Sequence, residues 1–230
     1  MTLLQARGVT KSYGPTPALR GVDLELGEGR ILAVTGPSGC GKSTLLHCLA
    51  GILRPDAGEV HYRGRRLDTA SETERSRLRR DEFGVLFQFG LLVAELTAAE
   101  NIALPLLLAG HGRRESRSVA LDWLDRFGVR ELAETVPGQM SGGQQQRVAA
   151  ARALVTEPSV LFADEPTGAL DRLVGEQLLG LVVELARERR MSVVLVTHDA
   201  TVAGYADDEI VLRDGVLDPG GLGIAAGAIG

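Results

Sequence analysis

The segment Gly36 to Thr44, GPSGCGKST, constrains this chain more than any other. It follows the apolar run Ile31, Leu32, Ala33, Val34 and leads into a helix-like stretch that ends near Gly51. Strand, glycine-rich loop and helix in that order form a cradle for a polyphosphate. The glycines let backbone N–H groups approach without a Cβ in the way, Lys42 reaches the β and γ phosphates, and the Ser43 hydroxyl ligates Mg²⁺. The positive end of the following helix adds to the attraction. Gly36, Pro37, Ser38, Gly39, Cys40, Gly41, Lys42, Ser43 and Thr44 are therefore candidate nucleotide contacts. A Gly/Ser turn before an ordinary helix is the plainer alternative, and the complete GxxxxGKS in this setting argues against it.

Length and charge narrow the setting. The 230 residues allow one α/β domain with a small inserted lobe. No apolar run approaches the roughly 20 residues that span a bilayer, and the run at Leu104 to Ala109 is interrupted by Pro105. A net charge of −5 argues against a surface built to hold nucleic acid. The basic stretch Arg63 to Arg80 is interleaved with Glu72, Glu74, Asp81 and Glu82 and reads as a solvated helix face. The N-terminus has no basic stretch followed by an apolar core, so no secretory signal is expected and residence in the cytosol follows. Cys40 and Cys48 lack metal-ligand spacing and read as free thiols.

Taken in order, residues 3 to 11 and 19 to 26 alternate in polarity around Gly14, Pro15 and Pro17, which predicts two antiparallel strands. Tyr13 stands at their turn, placed either to pack or to stack on a flat ligand such as adenine. Beyond the phosphate loop, Gly51 is expected as a helix C-cap, Glu59 to Tyr62 as a strand, Ser71 with Glu74 as a helix cap, and Gly84 to Phe87 as a strand ending at Gln88. From residue 89 to 136 the pattern turns helical, with helices over Ala98 to Ala109 and Arg113 to Phe127. The apolar side chains Phe89, Leu91, Leu92 and Leu104 to Leu108 either pack internally or meet a partner.

Ser141 reads as an N-cap of the next helix. Gly142 and Gly143, followed by Gln144, admit a second anion-binding helix end, although an ordinary capped helix is the simpler reading on capping chemistry alone. Val160 to Ala163 is a strand buried on both faces, and Asp164 and Glu165 leave its end. Successive strand residues point oppositely, so one carboxylate is free for the Mg²⁺ shell and the other for water. Asp171 opens a long helix to about Arg190, and the strand Ser192 to Val196 delivers His198. Gly36, Gln88, Asp164 and His198 are thus all expected at the carboxyl ends of strands, where open α/β sheets bind ligands. A hairpin is expected at Asp214–Gly215, and 219–230 is expected to be a loose Gly/Ala-rich tail.

Over nearly the whole chain these residues resemble the ATP-binding subunit of ATP-binding cassette (ABC) transporters. Tyr13 matches the adenine-stacking aromatic, Gly36 to Thr44 the Walker A loop, Gln88 the Q-loop glutamine, and Ser141 to Gln144 the signature. Asp164 and Glu165 match Walker B and the catalytic glutamate, Ala169 to Asp171 the D-loop, and His198 the switch histidine. The resemblance implies a P-loop α/β fold with a mainly parallel core sheet, an N-terminal antiparallel β subdomain and an inserted α-helical subdomain. In one domain over 1–230, the core would occupy 1–88 and 137–218, the helical part 89–136 and the tail 219–230. It also implies ATP and Mg²⁺, with Glu165, His198 and Lys42 in catalysis and Ser43, Gln88 and Asp164 at the metal. A head-to-tail homodimer would place each nucleotide between one chain's Walker A loop and the other chain's signature, which explains a second phosphate-seeking helix end in one chain.

The stretches LRRDEFGVLFQ, LTAAENIALPL and ADEPTGALD resemble a branch that serves macrolide export, lipoprotein release and cell division, working with permeases that bear large extracytoplasmic domains. Met140 stands where leucine is usual, and Ala169 where this branch often has asparagine. The implied role is an ATPase peripheral on the cytoplasmic face of the membrane, bound to a permease and driving export or extraction. The same engine could transmit force without transport. A soluble cassette acting on nucleic acid or ribosomes is disfavoured by the single cassette and the lack of a long coiled-coil insertion.

Overall fold

The computed structural model describes residues 1–218 together with Gly223 and Ile224. The chain opens with β1 (Thr2–Tyr13), β2 (Thr16–Gly27) and β3 (Ile31–Thr35), then α1 (Lys42–Leu49), β4 (Ala57–Tyr62), β5 (Arg65–Arg66) and α2 (Glu72–Asp81). There follow β6 (Phe83–Leu86), α3 (Ala98–Leu108), α4 (Arg113–Arg126), α5 (Gly142–Leu154), β7 (Val160–Asp164) and α6 (Arg172–Arg189). The remaining elements are β8 (Ser192–Val196), α7 (Ala200–Ala203), β9 (Asp208–Arg213), β10 (Val216–Leu217) and β11 (Gly223–Ile224). The loose tail expected over 219–230 otherwise lies outside the described residues. The structure divides into two compact units, Met1–Arg79 with the chain from Ala186 onward, and Arg80–Leu185.

In the first unit, β1 pairs antiparallel with β2, as the alternating pattern predicted; β1 also pairs antiparallel with β4, and β4 with β5, pairings the sequence pattern left open. Beside this antiparallel sheet stands a parallel set in which β3 pairs with both β8 and β9. β3 and β8 are buried along nearly their whole length, which is why both read as unbroken apolar runs. β10 and β11 pair antiparallel with β9. The turn between β9 and β10 uses Asp214 and Gly215, both at positive φ, as a tight hairpin requires.

The charged segment before the second unit differs from expectation. α2 is capped by Ser71 and Glu74 in the predicted reciprocal way, with the Ser71 N–H donating to Glu74 and the Glu74 N–H to Ser71 Oγ. Arg75, however, is buried rather than solvated. It donates to the Gly51 carbonyl and pairs with Glu72, while Arg79 donates to the same carbonyl at 2.6 Å. Two guanidinium groups therefore finish the end of α1. The C-cap of α1 is Ala50, and Gly51 takes the left-handed position one residue later.

In the second unit, β6 and β7 are parallel, with Leu86 opposite Ala163. α5 closes directly on β6 because Gly84 has no Cβ; one placed there would lie 2.3 Å from the Ala153 carbonyl. Phe83 and Phe162 meet edge-to-face across the strand pair. Phe89, Leu91, Leu107 and Leu108 remain exposed, with Phe89 68% and Leu91 61% accessible, so internal packing accounts for only part of the apolar excess around the helices. Among the described residues, no helix is long and apolar enough to cross a membrane.

Asp207 ties β3 to the end of α6 by accepting from the Ile31 N–H at 2.8 Å and from both Arg187 terminal nitrogens at 2.9 and 2.6 Å. Burial works against its charge, but these donors outweigh burial and hold the carboxyl below its ordinary range. A depressed carboxylate stabilises the fold above its unfolded pKa, and that stability is lost as pH falls through the folded pKa. Asp207→Asn is expected to cost about 1.5–3 kcal/mol at neutral pH. Denaturant melts of the two proteins should converge as pH drops below about 4, the ordinary aspartate value.

Candidate nucleotide site

The phosphate loop connects β3 to α1 and is held by contacts that exclude side chains. A Cβ on Gly36 would lie 2.0 Å from the Leu212 carbonyl, and one on Gly41 would lie 2.3 Å from the Ala18 carbonyl. Both glycines also have positive φ, 139° and 105°. The Gly215 N–H donates to the Cys40 carbonyl, and the Gly215 carbonyl accepts from Arg20, so the loop is braced by β2 and by the β9–β10 turn. Pro37, Ser38 and Gly39 are exposed over this brace, and no atom lies within 4 Å of where a Gly39 Cβ would stand. Cys40 is buried and, like Cys48, free. Burial pushes the Cys48 thiol up to about 11.

Lys42 is 7% exposed, and its Nζ donates to the Gly36 carbonyl at 2.8 Å and the Pro37 carbonyl at 2.9 Å. Among the described residues no carboxylate pairs with it. A buried ammonium held only by carbonyl oxygens is costly, and an incoming anion relieves that cost. α1 begins without a side-chain cap, at Gly41, so its first amides are not claimed by a capping side chain. The loop therefore fits a polyphosphate. Tyr13, more than half exposed, ends β1 opposite Thr16, two residues before the Ala18 carbonyl that abuts Gly41.

Parallel pairing decides which edge the other groups leave from. Val34 lies opposite Val196, so Gly36 and the exposed His198 emerge at the same end of β3 and β8. Buried Thr197 fixes the departure: its N–H donates to the Val34 carbonyl, and its hydroxyl accepts from Asp199. In the second unit, Gln88 and the pair Asp164 and Glu165 likewise leave the same end of β6 and β7. A Cβ on Gly168 would lie 3.1 Å from the Gln88 side-chain nitrogen and 3.5 Å from the Glu165 Cβ, so these two predicted residues flank one turn.

Glu165 corrects the expected geometry. Asp164 is the last residue of β7, but Glu165 has left the strand with φ 46°, and its carbonyl accepts from the Gly168 N–H at 3.0 Å. The two carboxylates are separated by this left-handed turn, not by strand alternation. Such a conformation costs a non-glycine residue about 1–3 kcal/mol and must be enforced by its surroundings. In the second unit, Gln88 and Asp164 offer an amide and a carboxylate oxygen, and in the first unit Ser43 offers a hydroxyl; each is a hard oxygen donor of the kind Mg²⁺ takes.

Ser141 caps α5 as predicted, in a reciprocal box with Gln144. Ser141 and Gly142 are exposed, and Gly143 lies against Val174. Asp171, exposed, accepts from the Val174 N–H and caps α6. Sequence reasoning passed over Gln146, Arg152 and Asn101. Arg152 donates to the Gly90 and Leu91 carbonyls, and Asn101 holds Val93, Leu96 and Thr97. These side chains fix the loop that follows Gln88. Their only sequence signal is polar residues on otherwise apolar helix faces.

A model of the ABC transporter family matches residues 19–168. The chain belongs to the ABC transporter family. This ABC protein is 43% identical over 218 residues to the lipoprotein-releasing system ATP-binding protein LolD of Psychrobacter arcticus, covering 93% of this chain and 96% of that protein. It is 42% identical to LolD 2 of Caulobacter vibrioides, covering 94% and 96%. The dimeric structure of MJ0796, a bacterial ABC transporter cassette, superposes with a TM-score of 0.92 at 38% identity, covering 98% of this chain and all of that one. A dimeric post-hydrolysis structure of the same cassette, bound to ADP and phosphate, has a TM-score of 0.92 at 37% identity over the same shares. This ABC chain is an ATPase that uses ATP with Mg²⁺.

Gly41→Ala tests the cradle. The added methyl meets the Ala18 carbonyl in a conformation alanine resists, so the fold should lose more than about 1 kcal/mol. ATP affinity, read by nucleotide titration, should fall at least about tenfold.

Proposed function

We propose that this chain powers export or extraction by a membrane permease, as an ATP-dependent head-to-tail homodimer on the cytoplasmic face. The observation that carries the ATP-binding part is the buried Lys42 ammonium, held among the described residues by the Gly36 and Pro37 carbonyls in a loop where Gly36 and Gly41 leave no room for a Cβ. The membrane role is supported by the near full-length likeness to lipoprotein-releasing ATP-binding proteins, and the homodimer by the dimeric cassettes. The chain acts as one catalytic domain, with 1–88 and 137–218 serving the nucleotide and 89–136 the permease.

Each site residue has a role in this reading. Tyr13 stacks on adenine, and the amides of Gly36 to Thr44 wrap the phosphates. Lys42 exchanges its two carbonyl partners for β- and γ-phosphate oxygens. Ser43, Gln88 and Asp164 hold Mg²⁺ directly or through water. When bound, the ion offsets charge on the transferring phosphoryl group. Glu165 orients the attacking water and accepts its proton. His198 hydrogen-bonds the γ-phosphate and the water. Ser141, Gly142, Gly143 and Gln144 close over the nucleotide of the opposite chain, with Asp171 beside that seam.

Phe89 and Leu91, two large apolar side chains exposed two residues apart, form the permease contact. Glu165→Gln should bind ATP within about twofold of wild type while turnover falls at least about 100-fold, the usual contribution of a general base. Purified from membranes with ATP and Mg²⁺, that variant should bring a permease with it. Adding Phe89→Asp and Leu91→Asp should release the permease and leave ATP affinity unchanged. Full recovery of the permease with the double change would remove this surface from the role.

A further inference from the structure

Gln146 lies near the start of α5, five residues beyond Ser141, and is 3% exposed. Its side-chain nitrogen donates to the Phe87 carbonyl at 3.0 Å and to the Pro166 carbonyl at 3.0 Å. An amide NH₂ has two hydrogens, so both are used. Phe87 immediately precedes Gln88, and Pro166 immediately follows Glu165. One side chain thus grips the backbone beside the candidate metal ligand and beside the candidate base.

The grip is rigid. The Phe87 carbonyl shares a peptide plane with the Gln88 N–H, so fixing one orients the other. Pro166 restricts the backbone of Glu165, which already sits at φ 46° and needs its surroundings to hold it there. On the other side, Gly84 lets α5 sit directly on β6, and the Gln146 side-chain oxygen lies 3.4 Å from where a Gly90 Cβ would stand. Gln88 and Glu165 are thereby tied to α5 through short backbone contacts on both sides.

We propose that Gln146 is a positioning residue for ATP hydrolysis: it sets the placement of Gln88 and Glu165 and makes both follow the helix that begins at Ser141. The proposal rests on the roles given above to Gln88 and Glu165. A displacement of α5 at its Ser141 end is passed by this amide to the metal ligand and the base together, whereas Arg152, further along α5, reaches the loop after Gln88. Removing the donor takes one hydrogen bond from the Pro166 carbonyl, leaves the Phe87 carbonyl with the Gly90 N–H as backbone donor, and frees the two segments from each other.

The test uses the full chain, with Gln146→Met, Gln146→Glu and Glu165→Gln compared with wild type. Gln146→Met keeps the volume and removes both donors. It should bind ATP within about twofold of wild type, lose about 10- to 100-fold in kcat, and need more Mg²⁺ for half-maximal activity, as loss of a partner behind a metal ligand does. A general loosening of the core would lower the melting temperature without moving the Mg²⁺ requirement. Gln146→Glu supplies the second readout and serves if the methionine variant does not fold. Its carboxylate faces two carbonyl oxygens and has no hydrogen to give until protonated, so its kcat relative to wild type should rise as pH is lowered from about 8 to about 6. Wild-type kcat and Mg²⁺ dependence in Gln146→Met, or a flat kcat ratio against pH in Gln146→Glu, with Glu165→Gln inactive, would overturn the proposal alone. An active Glu165→Gln would instead overturn the reading beneath it.

Discussion

A parallel strand buried on both faces has no place for a charge along its length, and the chemistry of this chain depends on that constraint. β3, β7 and β8 are apolar almost throughout. Polar groups must therefore collect where the strands end, and parallel pairing puts the ends of neighbouring strands on one edge. Gly36 and His198 share such an edge in one unit, as do Gln88, Asp164 and Glu165 in the other. The core thus does more than stabilise the fold, because it decides where the reactive groups leave.

What happens beyond the strand ends is set by backbone contacts more than by side chains. The phosphate loop is braced by the carbonyls of Ala18 and Leu212 and by the Gly215 N–H, all backbone groups. Lys42 places its ammonium against the Gly36 and Pro37 carbonyls and so puts a positive charge in the cradle. On the second unit, Arg152 and Asn101 perform the matching task for the loop after Gln88, and Gln146 for the residues beside Gln88 and Glu165, by donating to main-chain carbonyls. Side chains outside the reacting set thereby fix the backbone from which the reacting set projects.

Most of this was legible in the sequence, for reasons that can be traced. Buried strands read as apolar runs, the caps at Ser71 and Ser141 follow from a hydroxyl with Glu or Gln three residues on, and Asp214–Gly215 demands a hairpin. The turn at Glu165 was not legible, because nothing local distinguishes a carboxylate that continues a strand from one that leaves it at positive φ. The burial of Arg75 was hidden for a different reason: its partner, the Gly51 carbonyl, lies 24 residues away. Gln146 sits in a run of three glutamines, Gln144 to Gln146, and composition cannot say which one turns inward. Only the phase of α5 against β6, set by Gly84, decides it.

In the proposed assembly, the two phosphate-seeking ends of one chain serve the same nucleotide through two copies of it. The most direct measurement is the mass in solution of Glu165→Gln, by light scattering with bound nucleotide counted, in ATP with Mg²⁺ and again in ADP. The account predicts a dimer holding two ATP molecules, and a monomer with ADP. A chain that binds ATP tightly and stays monomeric would contradict it.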